Sequence, residues 1–217
     1  MKNITEIIFI LDRSGSMHGL EDDTIGGFNS LIEKQKKEEG EAFITTILFD
    51  DQLKIIHDRE NIKNIRKMTR KDFYVGGCTA LLDTVGFAIK KAIQVQKKLP
   101  VHQKANHVLF VITTDGYENA SCEYTYSQIN KLIQYQQKHY DWEFLFLGAR
   151  IDAIKEASKL GIPKTRAVRF YEDSEGIDVS YKGVSQFASQ LRSNNISKDD
   201  TDWKEETEVN FLKQRHV

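Results

Sequence analysis

Residues 7–16 read Ile-Ile-Phe-Ile-Leu-Asp-Arg-Ser-Gly-Ser, a short apolar run that ends abruptly in polar residues. Five consecutive apolar side chains, with no polar residue between them, predict a strand that is covered on both faces of its sheet. Asp12, Ser14 and Ser16 follow at alternate positions, with Gly15 between the two serines. These oxygen-bearing side chains can converge only if the backbone coils tightly, which a glycine makes easier. The stretch therefore predicts a buried parallel strand that leads into a compact polar loop.

The rest of the chain alternates between strand and helix patterns. Residues 108–112 and 144–147 are further continuous apolar runs, and Asp50-Asp51 separates two strand-like segments as in a hairpin. Between these runs, apolar residues recur at helical spacing, most clearly from Leu81 to about Lys98. Strands that alternate with helices predict a doubly wound α/β fold, a mostly parallel sheet of about six strands with helices on both faces.

The pattern predicts one domain over residues 1–192 and a different kind of segment after it. Residues 193–208 are polar and acidic, with a lone Trp203. We therefore expect residues 193–217 to form a mobile polar tail.

Composition limits the classes of partner. The 217 residues include 31 basic and 32 acidic side chains, a formal net charge of -1, which gives no electrostatic reason to expect nucleic acid or an anionic membrane as partner. The basic stretch over residues 59–71 is interleaved with acidic residues, so we interpret it as a solvated helix face. No apolar run is long enough for a signal peptide or a membrane span, and there are only two cysteines, Cys78 and Cys122. We expect a reduced, cytoplasmic protein whose two thiols are buried or unrelated, with a redox role as the alternative.

Two later segments share the oxygen-rich character of the loop after the first strand. Gly76-Gly77-Cys78-Thr79 opens the Leu81 helix, and Thr113-Thr114-Asp115-Gly116 closes the strand over residues 108–112. Each segment alone is also explained by a helix cap or a turn. Together they place hydroxyls and carboxylates where ligands bind in open α/β sheets, beyond the carboxyl ends of the strands. Oxygen donors without histidine or cysteine favour Mg²⁺, with Mn²⁺ and Ca²⁺ as alternatives.

The combination Asp-x-Ser-x-Ser, Gly-Gly-x-Thr and Thr-Asp-Gly resembles the metal-ion-dependent adhesion site of von Willebrand factor type A domains, over roughly residues 4–192. The resemblance implies the strand order 3-2-1-4-5-6 with one short antiparallel strand. It implies that Ser14, Ser16 and Thr79 offer hydroxyls to a metal, while Asp12 and Asp115 act directly or through water. It also implies a non-enzymatic, Mg²⁺-dependent module that recruits another protein through an Asp or Glu carboxylate. Without an export signal, the chain most resembles stand-alone cytosolic bacterial members, including those associated with tellurium resistance.

The alternative function is phosphotransfer that uses Asp12. A haloacid-dehalogenase-like phosphatase also has an aspartate at the end of its first strand, but it needs a second aspartate two residues on, where this chain has Ser14. A phosphoaspartate receiver needs an acidic cluster before its first helix, and Asp12 alone does not supply one.

Overall fold

One six-stranded sheet organises the residues that the computed structural model describes, 3–197 and 199–214. Its order is β3-β2-β1-β4-β5-β6, and every neighbouring pair is parallel except β2 with β3. The strands are β1 (Ile4–Asp12), β2 (Glu41–Phe49), β3 (Leu53–Asn61), β4 (His107–Thr114), β5 (Glu143–Gly148) and β6 (Ala167–Arg169). The doubly wound α/β fold, its strand order and the hairpin at Asp50-Asp51 are confirmed.

Among the described residues, six α-helices cover both faces of this sheet. They are α1 (Glu21–Gln35), α2 (Leu81–Lys98), α3 (Tyr126–Tyr140), α4 (Ala153–Lys159), α5 (Ser174–Arg192) and α6 (Asp202–Gln214). Helices α1, α5 and α6 pack in the core on one face, and α2, α3 and α4 pack in the core on the other. Both faces of β1 are therefore buried, as its continuous apolar run predicts. Within the described residues, no helix is both long and apolar enough to cross a membrane.

The central pair, β1 and β4, positions the polar loops. These strands are parallel neighbours, with Phe9 opposite Val111. From β1 the chain moves outward to β2 and β3, then returns to β4 on the other side of β1. The strand order reverses between β1 and β4, and their carboxyl ends, Asp12 and Thr114, meet at the same edge of the sheet.

The basic stretch over residues 59–71 is not a helix, so that expectation is wrong. Arg59 belongs to β3, a single 3₁₀ turn covers Ile62–Asn64, and the chain is irregular from there to the start of α2. Ile65 and Met68 are buried in the core beside α1, and this anchoring holds the segment in an irregular path.

The edge strand β3 carries a bulge near Arg59. The backbone of Arg59 has a φ of 47°, and the strand register with β2 shifts nearby. The N–H of Arg59 donates to the Thr45 hydroxyl at 3.1 Å instead of following the regular ladder. The Arg59 guanidinium lies 4.2 Å from the ring centroid of Phe43 and pairs with the buried Glu6.

The segment expected to be a mobile tail instead contributes α6, which packs on α5 and β6. Trp203 is 1% exposed, contacts Phe187 with ring centroids 5.9 Å apart, and donates its indole N–H to a backbone carbonyl at 3.0 Å. The Lys204 ammonium donates to the carbonyl of Ala167 on the outer strand at 3.2 Å. Gly183 on α5 makes this approach possible, because a Cβ there would collide with the Trp203 carbonyl oxygen. Lys198 and residues 215–217 of the expected tail lie outside the described residues.

Candidate metal centre

Three loops meet at the carboxyl edge of β1 and β4. The loop after β1 is tied to the loop before α2 by two backbone hydrogen bonds, from Gly15 N to Gly77 O at 3.2 Å and from Gly76 N to Arg13 O at 2.9 Å. Gly77 has a φ of 73°, a left-handed conformation that glycine adopts without strain, and a side chain there would also collide with Asp51. The pairing brings the segments that carry Ser14, Ser16 and Thr79 together.

The hydroxyls and one carboxylate of the predicted set form a connected cluster. Ser14 Oγ lies 3.1 Å from Ser16 Oγ, and Ser16 Oγ donates to Asp115 Oδ1 at 2.6 Å. The hydroxyls of Ser16 and Thr79 each lie 3.4 Å from the point that a Cβ on Gly116 would occupy. The structure therefore brings Ser14, Ser16, Thr79 and Asp115 around one small volume, which the missing side chain of Gly116 leaves open.

Asp12 lies beneath this cluster and is 1% exposed. Its Oδ1 accepts a hydrogen bond from Ser14 N at 2.7 Å, and its Oδ2 accepts one from the Thr114 hydroxyl at 2.6 Å. All five predicted residues thus meet at one edge of the sheet, although Asp12 contacts the backbone of Ser14 and the side chain of Thr114 rather than the hydroxyl cluster itself.

Helix capping does not account for these hydroxyls. Ser14 precedes a 3₁₀ turn over Gly15–Met17, but its side chain makes no capping hydrogen bond. The N-cap of α2 is Ala80 rather than Thr79, and Glu118 from another loop accepts the hydrogen bond from the second backbone N–H of that helix at 2.9 Å. The hydroxyls of Ser14 and Thr79 are therefore available to a ligand.

The two carboxylates of the site are buried without a counter-ion among the described residues. Burial raises the pKa of Asp12 to about 6, with the nearby Asp115 adding to the increase and hydrogen bonds from Thr114 and Ser14 opposing it. Burial also raises the pKa of Asp115, against the hydrogen bond from Ser16 and the charge of Arg150. Within residues 3–197 and 199–214, neither carboxylate has an ion-pair partner, and Asp115 Oδ2 is buried without a hydrogen bond.

The donor set fits a hard divalent cation better than a thiophilic one. Three hydroxyls and two carboxylates are oxygen donors of the kind that suit Mg²⁺, Ca²⁺ and Mn²⁺. In the described part of the chain, no three residues drawn from His, Cys, Asp and Glu form a metal-binding group. Cys78 and Cys122 are both exposed free thiols.

Two supporting residues were not identified from the sequence. Besides its bond to Asp12, the Thr114 hydroxyl accepts the N–H of Gly116 at 3.2 Å, so it fixes the turn that carries Asp115. Asn119 accepts the N–H of Thr79 at 2.8 Å through its side chain and returns its own N–H to the Thr79 carbonyl at 3.1 Å. Thr114 stands inside the Thr-Asp-Gly motif and could have been singled out, whereas nothing in the sequence marks Asn119.

No protein-family model and no curated protein matches the sequence. Solved structures do resemble the fold. Proximal thread matrix protein 1 from the mussel byssus matches with a TM-score of 0.58 and 13% identity, over 87% of this chain and 46% of that chain. Another structure of that protein, described as having a zinc-occupied MIDAS motif, matches with a TM-score of 0.57 and 13% identity over the same shares. A von Willebrand factor type A protein from Catenulispora acidiphila matches with a TM-score of 0.57 and 13% identity, over 88% of this chain and 43% of that chain.

The chain spans less than half the length of these solved chains. At this level of identity the similarity concerns the fold, and it agrees with the strand order and the helices on both faces of the sheet. The chain therefore has the fold of a von Willebrand factor type A domain.

Proposed function

We propose that this chain is a metal-dependent protein-binding module. One divalent cation, with Mg²⁺ as the preferred ion, is held by Asp12, Ser14, Ser16, Thr79 and Asp115. The observation that carries the proposal is the Oδ2 of Asp115, which is buried without a hydrogen bond in a cluster of hydroxyls. A buried carboxylate that lacks a counter-ion is costly, and a divalent cation supplies the missing positive charge.

The partner supplies an Asp or Glu carboxylate as a further ligand of this ion. Four of the five residues are buried, whereas Ser16 is partly exposed, so the cluster opens to solvent on the Ser16 side. When bound, the metal supplies a positive charge and a ligand position at that opening. A carboxylate that approaches there gains a charge-assisted bond in a partly dry cleft, where such a bond is stronger than in bulk water.

The alternative phosphotransfer function is disfavoured by the surroundings of Asp12. Both of its oxygens accept hydrogen bonds, and the side chain is almost completely buried, so a phosphoryl group has no open path to it. Position 14 offers the Ser14 hydroxyl instead of an acid that could protonate a leaving group. We accordingly propose a non-enzymatic role.

Three narrower points remain predictions from the sequence. They are the choice of Mg²⁺ over Mn²⁺ or Ca²⁺, the cytoplasmic location, and the likeness to tellurium-resistance-associated proteins. Titration of the chelator-treated protein with each of the three cations tests the first of them.

The metal site is tested by calorimetric titration of the chelator-treated protein with MgCl₂. We expect Ser16→Ala and Thr79→Ala each to weaken Mg²⁺ binding by about tenfold or more, because each variant removes one oxygen donor. Asp152→Asn is the matched control, since Asp152 caps α4 through a bond to Lys155 N at 3.1 Å and makes no contact with the cluster. Unchanged Mg²⁺ affinity in both alanine variants contradicts the proposed site.

Partner binding is tested by affinity capture from native lysate with wild-type protein and with Thr79→Ala, each in Mg²⁺ and in EDTA. The partner should be retained only by the wild-type protein in Mg²⁺. Its acidic residues are then replaced one at a time, and one replacement should abolish capture. If capture requires Mg²⁺ but survives every single replacement, the metal organises the domain without bridging to the partner.

A further inference from the structure

Apart from the metal centre, a polar cleft opens beyond β6 at the same edge of the sheet. Its volume is about 410 Å³. The cleft is bounded by the end of β5, by the segment that begins with β6, and by the helix α6 that the sequence did not predict. Its lining residues are Ala149, Arg169, Phe170, Tyr171, Glu172 and Phe211.

Strand register places the cleft two strands away from the end of β4 that leads into Asp115. Thr114, which precedes Asp115, is paired with Gly148 on β5, and Gly148 is paired with Arg169 on β6. The pairing continues past the strand ends, where Ala149 N donates to Thr114 O at 3.1 Å. Adjacent strands lie about 4.8 Å apart, so two strand spacings place the backbone of Arg169 roughly 10 Å from that of Thr114.

Arg169 is held firmly but lacks a counter-ion. Its guanidinium carbon lies 4.7 Å from the ring centroid of Phe211, and its Nε donates to Ala149 O at 3.1 Å. Among the residues that the structure describes, no carboxylate lies within 4 Å of its side-chain nitrogens, whereas the neighbouring Arg150 is paired with Glu172. The terminal nitrogens of Arg169 therefore remain available to bind an anion in the planar, two-point manner that suits arginine.

We propose that this cleft binds a second carboxylate, from an acidic residue of the same partner protein that reaches the metal. The inference rests on the proposed metal-bridged function and extends it to a two-point acidic motif. Glu172 is the other charged residue that lines the cleft, and Arg150, which lies outside the lining, pairs with it. Arg169 is therefore the charged lining residue that has no counter-ion among the described residues. A polyproline II segment advances about 3.1 Å per residue with three residues per turn, so carboxylates at positions i and i+3 lie on one face about 9 Å apart. That separation is close to the roughly 10 Å between the backbones of Arg169 and Thr114.

The test uses end-blocked, fluorescently labelled peptides in the presence of saturating Mg²⁺. The two-carboxylate probe is Gly-Asp-Pro-Pro-Asp-Gly, and the two single-carboxylate probes carry Asn in place of one Asp or the other. We expect the two-carboxylate probe to bind about tenfold tighter than either single-carboxylate probe, because a charge-assisted bidentate bond contributes a factor of that order. Arg169→Gln should remove this advantage and leave the single-carboxylate affinity unchanged.

Lys97→Gln is the matched charge control, because Lys97 is exposed in the last turn of α2. The Mg²⁺ affinity of Arg169→Gln should equal that of the wild-type protein. Its thermal unfolding should remain one cooperative transition above the assay temperature, although the variant loses the hydrogen bond to Ala149 and the packing on Phe211, and this separates a lost contact from a lost fold. Equal affinities for the three peptides, with binding still abolished by EDTA, overturn the second carboxylate site and leave the proposed function standing. Binding that is insensitive to EDTA, or absent at millimolar peptide, overturns both.

Discussion

Replacing Asp12 with Asn should stabilise the metal-free protein and at the same time abolish its response to Mg²⁺. The Asp12 side chain is 1% exposed and has no ion-pair partner among the described residues, so its negative charge is costly until a cation neutralises it. Asparagine has nearly the same shape. Its carbonyl oxygen can still accept the N–H of Ser14, and its amide can donate to the Thr114 hydroxyl, which accepts as well as donates.

The size of the effect follows from the pKa of Asp12. Burial raises this pKa from the ordinary 3.8 to about 6. The folded protein therefore binds more protons than the unfolded chain between those values, and the stability of the metal-free protein falls as pH rises through that window. A shift of about two pKa units corresponds to roughly 3 kcal/mol, fully present above pH 7. For a chain of this length the corresponding rise in Tm is about 6–12 °C.

The assay is urea unfolding of wild-type protein and Asp12→Asn, in EDTA and in MgCl₂, at pH 7.5 and at pH 4. In EDTA at pH 7.5 the variant should be the more stable protein. At pH 4 the difference should shrink to less than about 1 kcal/mol, because Asp12 is then protonated in the folded wild-type protein. Saturating Mg²⁺ should stabilise only the wild-type protein, by about 2.7 kcal/mol at a hundred times the Kd.

Two results would refute this reasoning. If Asp12→Asn destabilises the metal-free protein at pH 7.5, other groups in the fold already stabilise the negative charge of Asp12, and no cation is needed to neutralise it. If both proteins gain the same stability from Mg²⁺, the ion binds elsewhere.

Two further predictions concern the helices that pack on one face of the sheet. Trp203→Ala should cost about 3–5 kcal/mol in urea unfolding because it empties a buried site, whereas Leu212→Ala, at a position that is 54% exposed on the same helix, should change stability by less than about 0.5 kcal/mol. Arg192→Gln should cost about 2–4 kcal/mol, because the buried guanidinium donates to four backbone carbonyls at the end of α1 and just beyond it, including that of Gly40 at 3.2 Å. Lys182→Gln, on the exposed side of α5, is its control and should behave like the wild-type protein in the same assay.

The central strands of the sheet could be predicted from the sequence, because a strand that is buried on both faces is apolar at consecutive positions. The runs at residues 7–11, 108–112 and 144–147 are continuously apolar, and all three became central or near-central parallel strands. The sequence Thr-x-x-Gln, which is typical of a capping box, likewise forms one at the start of α3 with Thr125 and Gln128. Such signals come from neighbouring residues and need no knowledge of the rest of the fold.

Helix α6 could not be predicted in this way. It is polar along much of its length, and its attachment depends on one tryptophan, on a lysine whose ammonium reaches backbone carbonyls, and on a glycine about twenty residues earlier that leaves space for it. None of these residues signals helix packing by itself. The expectation of a mobile tail failed because specific tertiary contacts outweighed a weak local pattern.

In the candidate site, too, the local motifs could be predicted from the sequence, whereas the tertiary contacts could not. Its five residues were predicted from motifs, and the structure brings them to one edge of the sheet. The groups that hold them in place were not predicted, because the contacts of Asn119 with Thr79 join segments forty residues apart. The Arg169 cleft could not be predicted from the sequence either, because Phe211, which lines it, belongs to α6, a helix that the sequence did not predict.

Two features, the bulge at Arg59 on β3 and Lys204 beside β6, affect whether another polypeptide can add a strand to the edges of this sheet. On the β3 side, the bulge and the charged residues around it interrupt the row of backbone groups that an incoming strand would pair with. On the β6 side, the strand has only three residues, and Lys204 already occupies the carbonyl of Ala167. Neither border of the sheet therefore offers a long, uninterrupted template for strand addition. The proposed recruitment through the metal centre relies on side chains at the ends of the strands, so its specificity is set by charge and geometry and not by backbone pairing.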